Sequence, residues 1–278
     1  MQKIRNKEFR SERDLFMSRD IEVEDCRFYD GESPLKESTN ITVNHCTFEY
    51  KYPLWYCESV EVKDTTFEPI SRSGIWYTNN ITLTDCVINA PKEFRRSSNI
   101  TLERVSFTDG QETLRNCNKI NIKDCKVKGD YLLMNSEDIV IENLELDGNY
   151  FCDSAKNVTC KNCVLYSKDS FWNCENVTLI NCKIIGEYFG WNSKNIYMEN
   201  CEVESLQGFC YIDNLEMKNC ILNNTTLAFE YTTVDATINN VIDSVKNPMG
   251  GKIVCKGIKE LIIDENCKNP GQTEIIEE

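Results

Sequence analysis

The sequence lacks several features that would place it in a familiar functional class. No apolar run approaches the ~20 residues that a membrane-spanning helix needs, so we expect no membrane span. The first ten residues contain no apolar h-region, so we expect no secretory signal. There is a single histidine, His45, and it occupies a place where related segments have Asn or Asp. We therefore expect His45 to be a corner residue rather than a catalytic base.

Positive charge is also in short supply. The chain has 31 Lys and Arg residues against 45 Asp and Glu residues, which gives a formal net charge of −14. Such a chain repels phosphate backbones and anionic membranes, so neither nucleic acid nor a membrane is expected as a partner. An acidic polysaccharide is also disfavoured, unless a local basic patch or a metal ion intervenes.

A repeat of 19 to 21 residues runs through most of the chain. Each copy contains a phrase such as Asn176-Val177-Thr178-Leu179-Ile180-Asn181-Cys182, and we call its first apolar residue the anchor. A constant step over so many copies is typical of a solenoid. The anchors are Ile21, Ile41, Val60, Ile81, Ile100, Ile120, Ile139, Val158, Val177, Ile196 and Leu215, with Ala236 a weaker twelfth.

Apolar residues within each copy fall at the anchor and at anchor+2, then at anchor+5 and anchor+7, with a further apolar row at anchor−6. Alternation indicates strands, and the break after anchor+2 indicates a corner. Asn and Asp, which tolerate positive φ, are frequent at anchor−1 and anchor+4. The pattern predicts an all-β fold: a single-stranded right-handed parallel β-helix, or solenoid, of about 12 coils with three short strands per coil. Helical repeats and left-handed hexapeptide helices are excluded, because their periods are absent.

The repeat also predicts the domain organisation, a single β-helix domain over residues 1–278. Residues 1–14 lack the repeat and are expected to form an N-terminal cap, because an uncovered strand edge recruits other chains. Residues 15–222 carry the regular coils. Residues 223–278 are expected to form irregular last coils and a C-terminal cap, beginning with a longer link over 223–235.

Sixteen cysteines suggest disulfides, but their places in the repeat indicate otherwise. Eight lie at anchor+5, where other copies have Thr, Val or Leu, and three lie at anchor−3, where other copies have Ser. Such interchange indicates small interior side chains. We predict a ladder of reduced cysteines in a cytoplasmic protein. The Cys160-Lys161-Asn162-Cys163 segment is interpreted as part of this ladder, so neither a metal site nor a cofactor is expected.

The outward row at anchor−5 is the strongest candidate for a functional surface. It contains all four tryptophans and two arginines. Aromatic groups beside hydrogen-bonding groups suit a sugar ring. A face covered by a terminal segment, or a protein interface, would give the same row. The candidate ligand-binding residues are Trp55, Trp76, Arg95, Arg115, Trp172 and Trp191.

The coils resemble the pectin-lyase-like right-handed β-helix superfamily. The Asn-Ile-x-Leu-x-Asp/Asn-Cys phrase resembles, more narrowly, an uncharacterised bacterial family sometimes labelled putative virulence factor. Segments Gln111–Leu114 and Asp130–Met134 are similar to two motifs of pectin methylesterases. That resemblance implies catalytic roles for Glu112 and Asp130. It departs from the motifs where Glu112 replaces Asp and Met134 replaces Gly, and the Arg of the third motif is missing from Phe189-Gly190-Trp191.

Two classes of function remain open from the sequence. The first is a protein that binds or processes a carbohydrate on the outward Trp/Arg face, with Asp153 as a further catalytic candidate beside Glu112 and Asp130. The nearby Glu93 is expected to be a solvated surface charge. The second is a non-enzymatic scaffold that uses the same face to bind a protein partner or a second copy of the chain. Whether the protein is an enzyme is left undecided by these residues.

Overall fold

The computed structural model describes residues 1–278 and shows an all-β parallel β-solenoid of about 15 turns. Equivalent residues of successive turns pair in register: Ile81 lies beside Ile100, and Ile100 beside Ile120. The predicted fold class is therefore confirmed. Helical structure is limited to one 3₁₀ turn, Pro69–Ser71. No helix is long and apolar enough to cross a membrane.

The chain divides into two compact units, Met1–Val140 and Ile141–Glu278, which are described separately. In both, each turn contributes a longer strand to a first sheet and a short strand to a second sheet. The strand Glu137–Glu142 contains the point of division.

In the first unit the two sheets are built from strands of similar length in every turn. The first sheet contains Gln2–Arg5, Arg19–Glu24, Thr39–Asn44, Glu58–Lys63, Asn79–Thr84, Ser98–Glu103 and Asn118–Lys123. The second sheet contains Glu8–Phe9, Arg27–Phe28, Thr47–Phe48, Thr66–Phe67, Val87–Ile88, Ser106–Phe107 and Lys126–Lys128.

In the second unit the pattern continues until the last turns, where a separate two-stranded sheet replaces the second sheet. The first sheet contains Lys156–Lys161, Glu175–Ile180, Lys194–Glu199, Asp213–Leu222, Thr233–Ile238, Gly250–Cys255 and Thr273–Glu277. The second sheet contains Glu145–Asp147, Val164–Tyr166, Lys183–Ile185, Glu202–Glu204 and the end of Asp213–Leu222, and the separate pair is Ile242–Lys246 with Ile258–Ile262.

The predicted number of coils is too low because both ends of the chain also wind into turns. Within residues 1–14, strand Gln2–Arg5 pairs in parallel with the following turn, Ile4 beside Val23. At the other end, Ile253 pairs with Ile275. The apolar pattern of the repeat does not reveal these terminal turns, because Gln2 and Gly251, which are not apolar, occupy anchor places.

The twelfth anchor is Val234, not Ala236. Leu215 pairs with Val234, and Met217 pairs with Ala236, so Ala236 occupies an anchor+2 place. Residues 223–235 are accordingly not a long link but an ordinary part of a turn. Phe229 lies in the interior there, stacked on Phe209 with 5.4 Å between ring centroids.

The third predicted strand of each coil is not a strand. The residues from anchor−8 to anchor−3, which we call the turn side, form consecutive tight turns. In the coil that precedes Ile100, φ is positive at Lys92, Phe94 and Arg96, with values of 63°, 55° and 51°. The chain thus reverses within a few residues while Phe94 still points into the core. Inward and outward places alternate as in a strand, which is why the sequence pattern resembles one.

The turn side explains the exception in the anchor−6 row. Gly190 has φ of 75°, and a Cβ there would lie 3.1 Å from Cδ1 of Ile212. Glycine adopts this conformation without the steric cost that other residues have. In other turns the same place holds Phe or Leu residues with positive φ, such as Phe94 and Leu114. Burial of their side chains stabilises this conformation.

Cysteine and serine interchange at anchor−3 because both donate a hydrogen bond between turns. Cys57 Sγ donates to the carbonyl of Leu35 at 3.1 Å, and Ser97 Oγ donates to that of Ile75 at 3.2 Å. Regular ladder pairing is interrupted on the turn side, and these side chains add donors for its buried carbonyls, some of which, such as that of Leu35, also accept from a backbone N–H. They are therefore hydrogen-bonding groups as well as space-filling ones.

All sixteen cysteines carry free thiols, and every one except Cys267 is buried. Burial raises the pKa of Cys46 and Cys57 to about 12 and that of Cys86 to about 11. Thiolate is the reactive form, so these thiols are inert in the folded protein.

We predict that a thiol reagent at pH 8 labels about one cysteine of the native protein rapidly and all sixteen after denaturation without reductant. Ellman titration measures both numbers. Cys267→Ser serves as the control and removes the rapid phase. Fewer than sixteen thiols in denaturant would reveal disulfides and contradict the structure.

Candidate functional site

The predicted outward row lies on the turn side, and its inward neighbours lie in the core. In the first unit, Trp55, Trp76, Arg95 and Arg115 are half-buried, whereas Leu114, next to Arg115, is fully buried. The alternation inferred from the repeat therefore places these side chains as expected. Trp76 and Arg95 are also joined by a backbone bridge, as are Arg95 and Arg115, so the four residues form one column.

The tryptophans of this column are fixed rigidly. Trp55 and Trp76 stack with 5.6 Å between ring centroids and 9° between planes. Their indole N–H groups donate to backbone carbonyls of the following turns, Trp55 to Ser73 and Trp76 to Lys92. The Trp55 ring also contacts the Tyr52 ring, with 4.5 Å between ring centroids. Because these ring faces are covered, the column presents mainly ring edges to solvent.

A second column runs beside the first, at anchor−4. Tyr56 and Tyr77 stack with 4.7 Å between centroids and 5° between planes. The Arg96 guanidinium lies 6.0 Å from the Tyr77 ring, and the Lys36 ammonium lies 5.7 Å from the Tyr56 ring. Both columns thus change from aromatic to cationic residues along successive turns.

The cationic end of the two columns surrounds one carboxylate. Glu112 accepts ion pairs from Lys92 at 3.2 Å, Arg95 at 3.1 Å and Arg115 at 3.5 Å. With the neighbouring Arg96, these residues make four cations to one carboxylate in a strongly acidic chain. We call Lys92, Arg95, Arg96, Arg115 and Glu112 the cationic group.

Arg95 is the most constrained member of the cationic group. Its guanidinium carbon lies 4.5 Å from the centroid of Trp76, an arrangement favourable for cation–π attraction. Its side chain is only 22% exposed, and its Nε–H is buried without a hydrogen-bond partner. An unpaired buried donor is costly, so this N–H reduces the stability of the Arg95 side-chain position.

Glu112, one of the catalytic candidates, is held as a carboxylate. Burial works to raise its pKa, but the hydrogen bond from Lys92 and the charges of Lys92 and Arg95 outweigh burial, so the pKa lies below its usual value. A group held ionised in this way is a poor general acid. Asp130 lies in the adjacent turn, where its backbone carbonyl accepts from the N–H of Glu112 at 2.9 Å. The structure thus brings these two candidates into neighbouring turns.

The remaining candidates lie in the second unit. Trp172 and Trp191 stack with 5.7 Å between centroids, and their indoles donate to the carbonyls of Tyr188 and Gln207. Asp153 Oδ1 accepts from Ser154 Oγ at 2.8 Å and from Asn173 Nδ2 at 3.2 Å, so this oxygen is engaged within the surface. This column ends without an arginine: the anchor−5 place after Trp191 holds the buried Cys210, and the Trp191 ring contacts Tyr211 of the anchor−4 row, with 5.4 Å between ring centroids.

Sequence reasoning missed Lys92 and Tyr52 and misjudged Glu93. Lys92 and Tyr52 lie at anchor−8, a row that the same counting would have revealed. Glu93 was expected to be a solvated charge, but it is completely buried. His45, by contrast, is a left-handed corner with φ of 50°, as predicted.

These features define a class: a parallel β-solenoid with an aromatic and cationic lateral surface. The chain belongs to the family described as "Protein of unknown function (DUF3737)", whose model matches residues 2–276. The prediction that the chain belongs to an uncharacterised family is confirmed by this match. The pectin-lyase-like assignment and the virulence label remain predictions. A comparison with curated protein sequences yields no match.

Solved structures of other β-helix proteins are similar in fold. PfbA, a surface adhesin of Streptococcus pneumoniae, is 11% identical over 79% of this chain and 69% of its own, with a TM-score of 0.38. A tailspike protein of E. coli bacteriophage HK620, solved with a pentasaccharide, is 6% identical over 99% of this chain and 70% of its own, with a TM-score of 0.45. The A-module of a mannuronan C-5 epimerase from Azotobacter vinelandii is 9% identical over 98% and 88%, with a TM-score of 0.31. Such distant similarity reflects the fold alone.

We predict that Leu114→Ala destabilises the protein by ~2–5 kcal/mol, because it empties a fully buried site. Arg115→Ala should cost no more than ~1 kcal/mol, since its side chain is 34% exposed and paired at the surface. Chemical denaturation of the two variants side by side measures the difference. Equal losses would mean that the outward row is part of the core.

Proposed function

We propose that this protein binds carbohydrate at the cationic end of the two columns, and that the sugar carries an acidic substituent. The observation that supports this most is the cationic group itself, in which Lys92, Arg95 and Arg115 pair with one carboxylate and Arg96 lies beside them, on a chain of net charge −14. Guanidinium groups bind carboxylate and sulfate oxygens with paired hydrogen bonds. The local basic patch that an acidic polysaccharide would require is thus present.

The geometry also suits the neutral part of a sugar. Arg115, whose side chain is 34% exposed, offers guanidinium N–H donors, and Tyr56 and Tyr77 offer partly exposed rings on the same side of the turns. Amphipathic aromatic side chains next to hydrogen-bond donors are typical of ligand sites. Glu112 orders the guanidinium groups, because each would lose its fixed orientation without the shared carboxylate.

Binding is favoured over catalysis. A general acid must carry a proton, and the cations around Glu112 oppose that. The free, buried thiols support the further proposal that the protein works in a reducing compartment such as the cytoplasm.

A protein interface is the second candidate function. The stacked rings of Trp55 and Trp76 expose edges rather than open faces, and an edge-on aromatic surface suits a protein partner or a second copy of the chain better than it suits stacking on a sugar. Chromatography with light scattering distinguishes the candidates. A dimer that becomes monomeric in Trp76→Ala would favour the interface.

We predict that a glycan array identifies acidic glycans, and that Arg115→Gln weakens their binding by ~10-fold or more, because a charged hydrogen bond contributes ~1.5–3 kcal/mol. Isothermal titration measures the affinity. Lys123→Gln, which removes one exposed cation from the outward face of the first sheet, is the matched control. Affinity should fall as salt rises. Equal effects of the two variants would contradict the proposed site.

A further inference from the structure

Glu93 is a buried carboxyl directly beneath the aromatic column of the first unit. It lies at anchor−7, is completely buried, and has no ion pair. Its Oε2 accepts from the backbone N–H of Gly74 at 2.8 Å, and the N–H of Ile75 also contributes. Its Oε1 has no partner.

Glu93 and Gly74 are complementary in shape. A Cβ on Gly74 would lie 2.7 Å from Glu93 Oε2 and 2.8 Å from the carbonyl oxygen of Ser71. The carboxyl of one turn therefore fills the space that glycine leaves in the preceding turn. Gly74 therefore cannot take a larger side chain without displacing the Glu93 carboxyl.

The turn that contains Gly74 also provides attachment points for Trp55 and Trp76. Trp55 donates to the carbonyl of Ser73, which precedes Gly74, and Trp76 follows Gly74 by two residues. Trp76 in turn donates to the carbonyl of Lys92, which precedes Glu93. Displacement of the Glu93 carboxyl would consequently move both tryptophan attachment points.

No charge compensates Glu93, so the carboxyl is neutral in the folded protein. Arg72, Lys92, Arg95 and Glu112 on its own and the adjoining turns are exposed or half-buried on the outward side. Titratable groups inside neighbouring turns are the thiols Cys57 and Cys117, whose pKa burial raises to about 12, so they stay neutral as well. Since Oε2 accepts from Gly74, Oε1 is the oxygen that carries the proton.

We propose that protonated Glu93 is a positioning residue for Trp55 and Trp76, and that its ionisation releases the Gly74 turn and loosens the aromatic part of the binding surface. The consequence for ligand binding rests on the proposed function. The structural effect on Trp55 and Trp76 is independent of the proposed function.

The direction of the pH dependence follows from burial. Burial raises the pKa of Glu93 well above its ordinary value. The folded state then holds the proton more tightly than the unfolded state, so the contribution to stability is complete below the ordinary pKa. It declines as pH rises from there towards the raised pKa of the folded protein.

The second unit contains an internal control. Trp172 and Trp191 form the same stacked pair, but the corresponding anchor−7 places hold Ser170, Phe189 and Gly208 rather than a carboxyl. Their surroundings should not respond to this titration.

The test follows the four indole N–H signals by ¹H–¹⁵N NMR from pH 4 to 10, with Trp→Phe variants for assignment. We expect the Trp55 and Trp76 signals to shift together with one midpoint above the ordinary glutamate value, while those of Trp172 and Trp191 stay constant. Glu93→Gln, which keeps an acceptor for Gly74 but cannot ionise, should retain the low-pH positions and lose the titration. Glu93→Ala should displace both signals at every pH, and if it does not fold, the Gln variant decides.

A titration that persists in Glu93→Gln, an equal response of all four tryptophans, or no midpoint in this range would overturn the positioning role. Affinity for an acidic glycan selected on the array is measured over the same range. If the signals titrate as expected but the affinity of wild type and Glu93→Gln varies alike with pH, the positioning role stands and the proposed binding surface fails.

Discussion

Every turn of this solenoid depends on hydrogen bonds to equivalent residues about 19 positions along the chain. The strands supply them through backbone pairing, and the corners supply them through side chains. Asn176, Asn195 and Asn214 form one such ladder, each amide donating to the preceding one at 2.9 to 3.0 Å. These asparagines also adopt the positive φ that a corner needs, so one residue type meets two requirements at once. The strict spacing of the repeat is the sequence record of this constraint.

Hydrogen bonding between successive turns is least regular on the turn side, so functional side chains can be placed there. Its backbone hydrogen bonds between turns form isolated bridges rather than strands, and thiols and hydroxyls at anchor−3 add further donors to its carbonyls. Outward residues there can vary without disturbing the ladder. These outward side chains form stacked columns, because each lies beside the equivalent side chain of the next turn. In the first unit this brings Arg95 and Arg115 together around Glu112, and in the second it stacks Trp172 on Trp191, whose ring also contacts Tyr211.

Much of the fold could be predicted from sequence because it is periodic. The anchors, the inward and outward parity and the left-handed corners all follow from counting. The terminal turns could not be found in this way, because Gln2 and Gly251 occupy anchor places without an apolar side chain. The turn side was taken for a strand, since alternating left-handed turns give the same parity. Glu93 was misjudged for a different reason: its burial depends on a single glycine in the preceding turn, which no pattern of one repeat can show.

The central claim is that the cationic end of the turn side contacts the ligand. It is tested most directly by ¹H–¹⁵N NMR of arginine side chains during titration with an acidic oligosaccharide that binds. The account predicts a large shift of the Arg115 Nε–H signal, because that side chain is 34% exposed, and a smaller one for the buried Nε–H of Arg95. Saturable binding that leaves both arginine signals unchanged would contradict it.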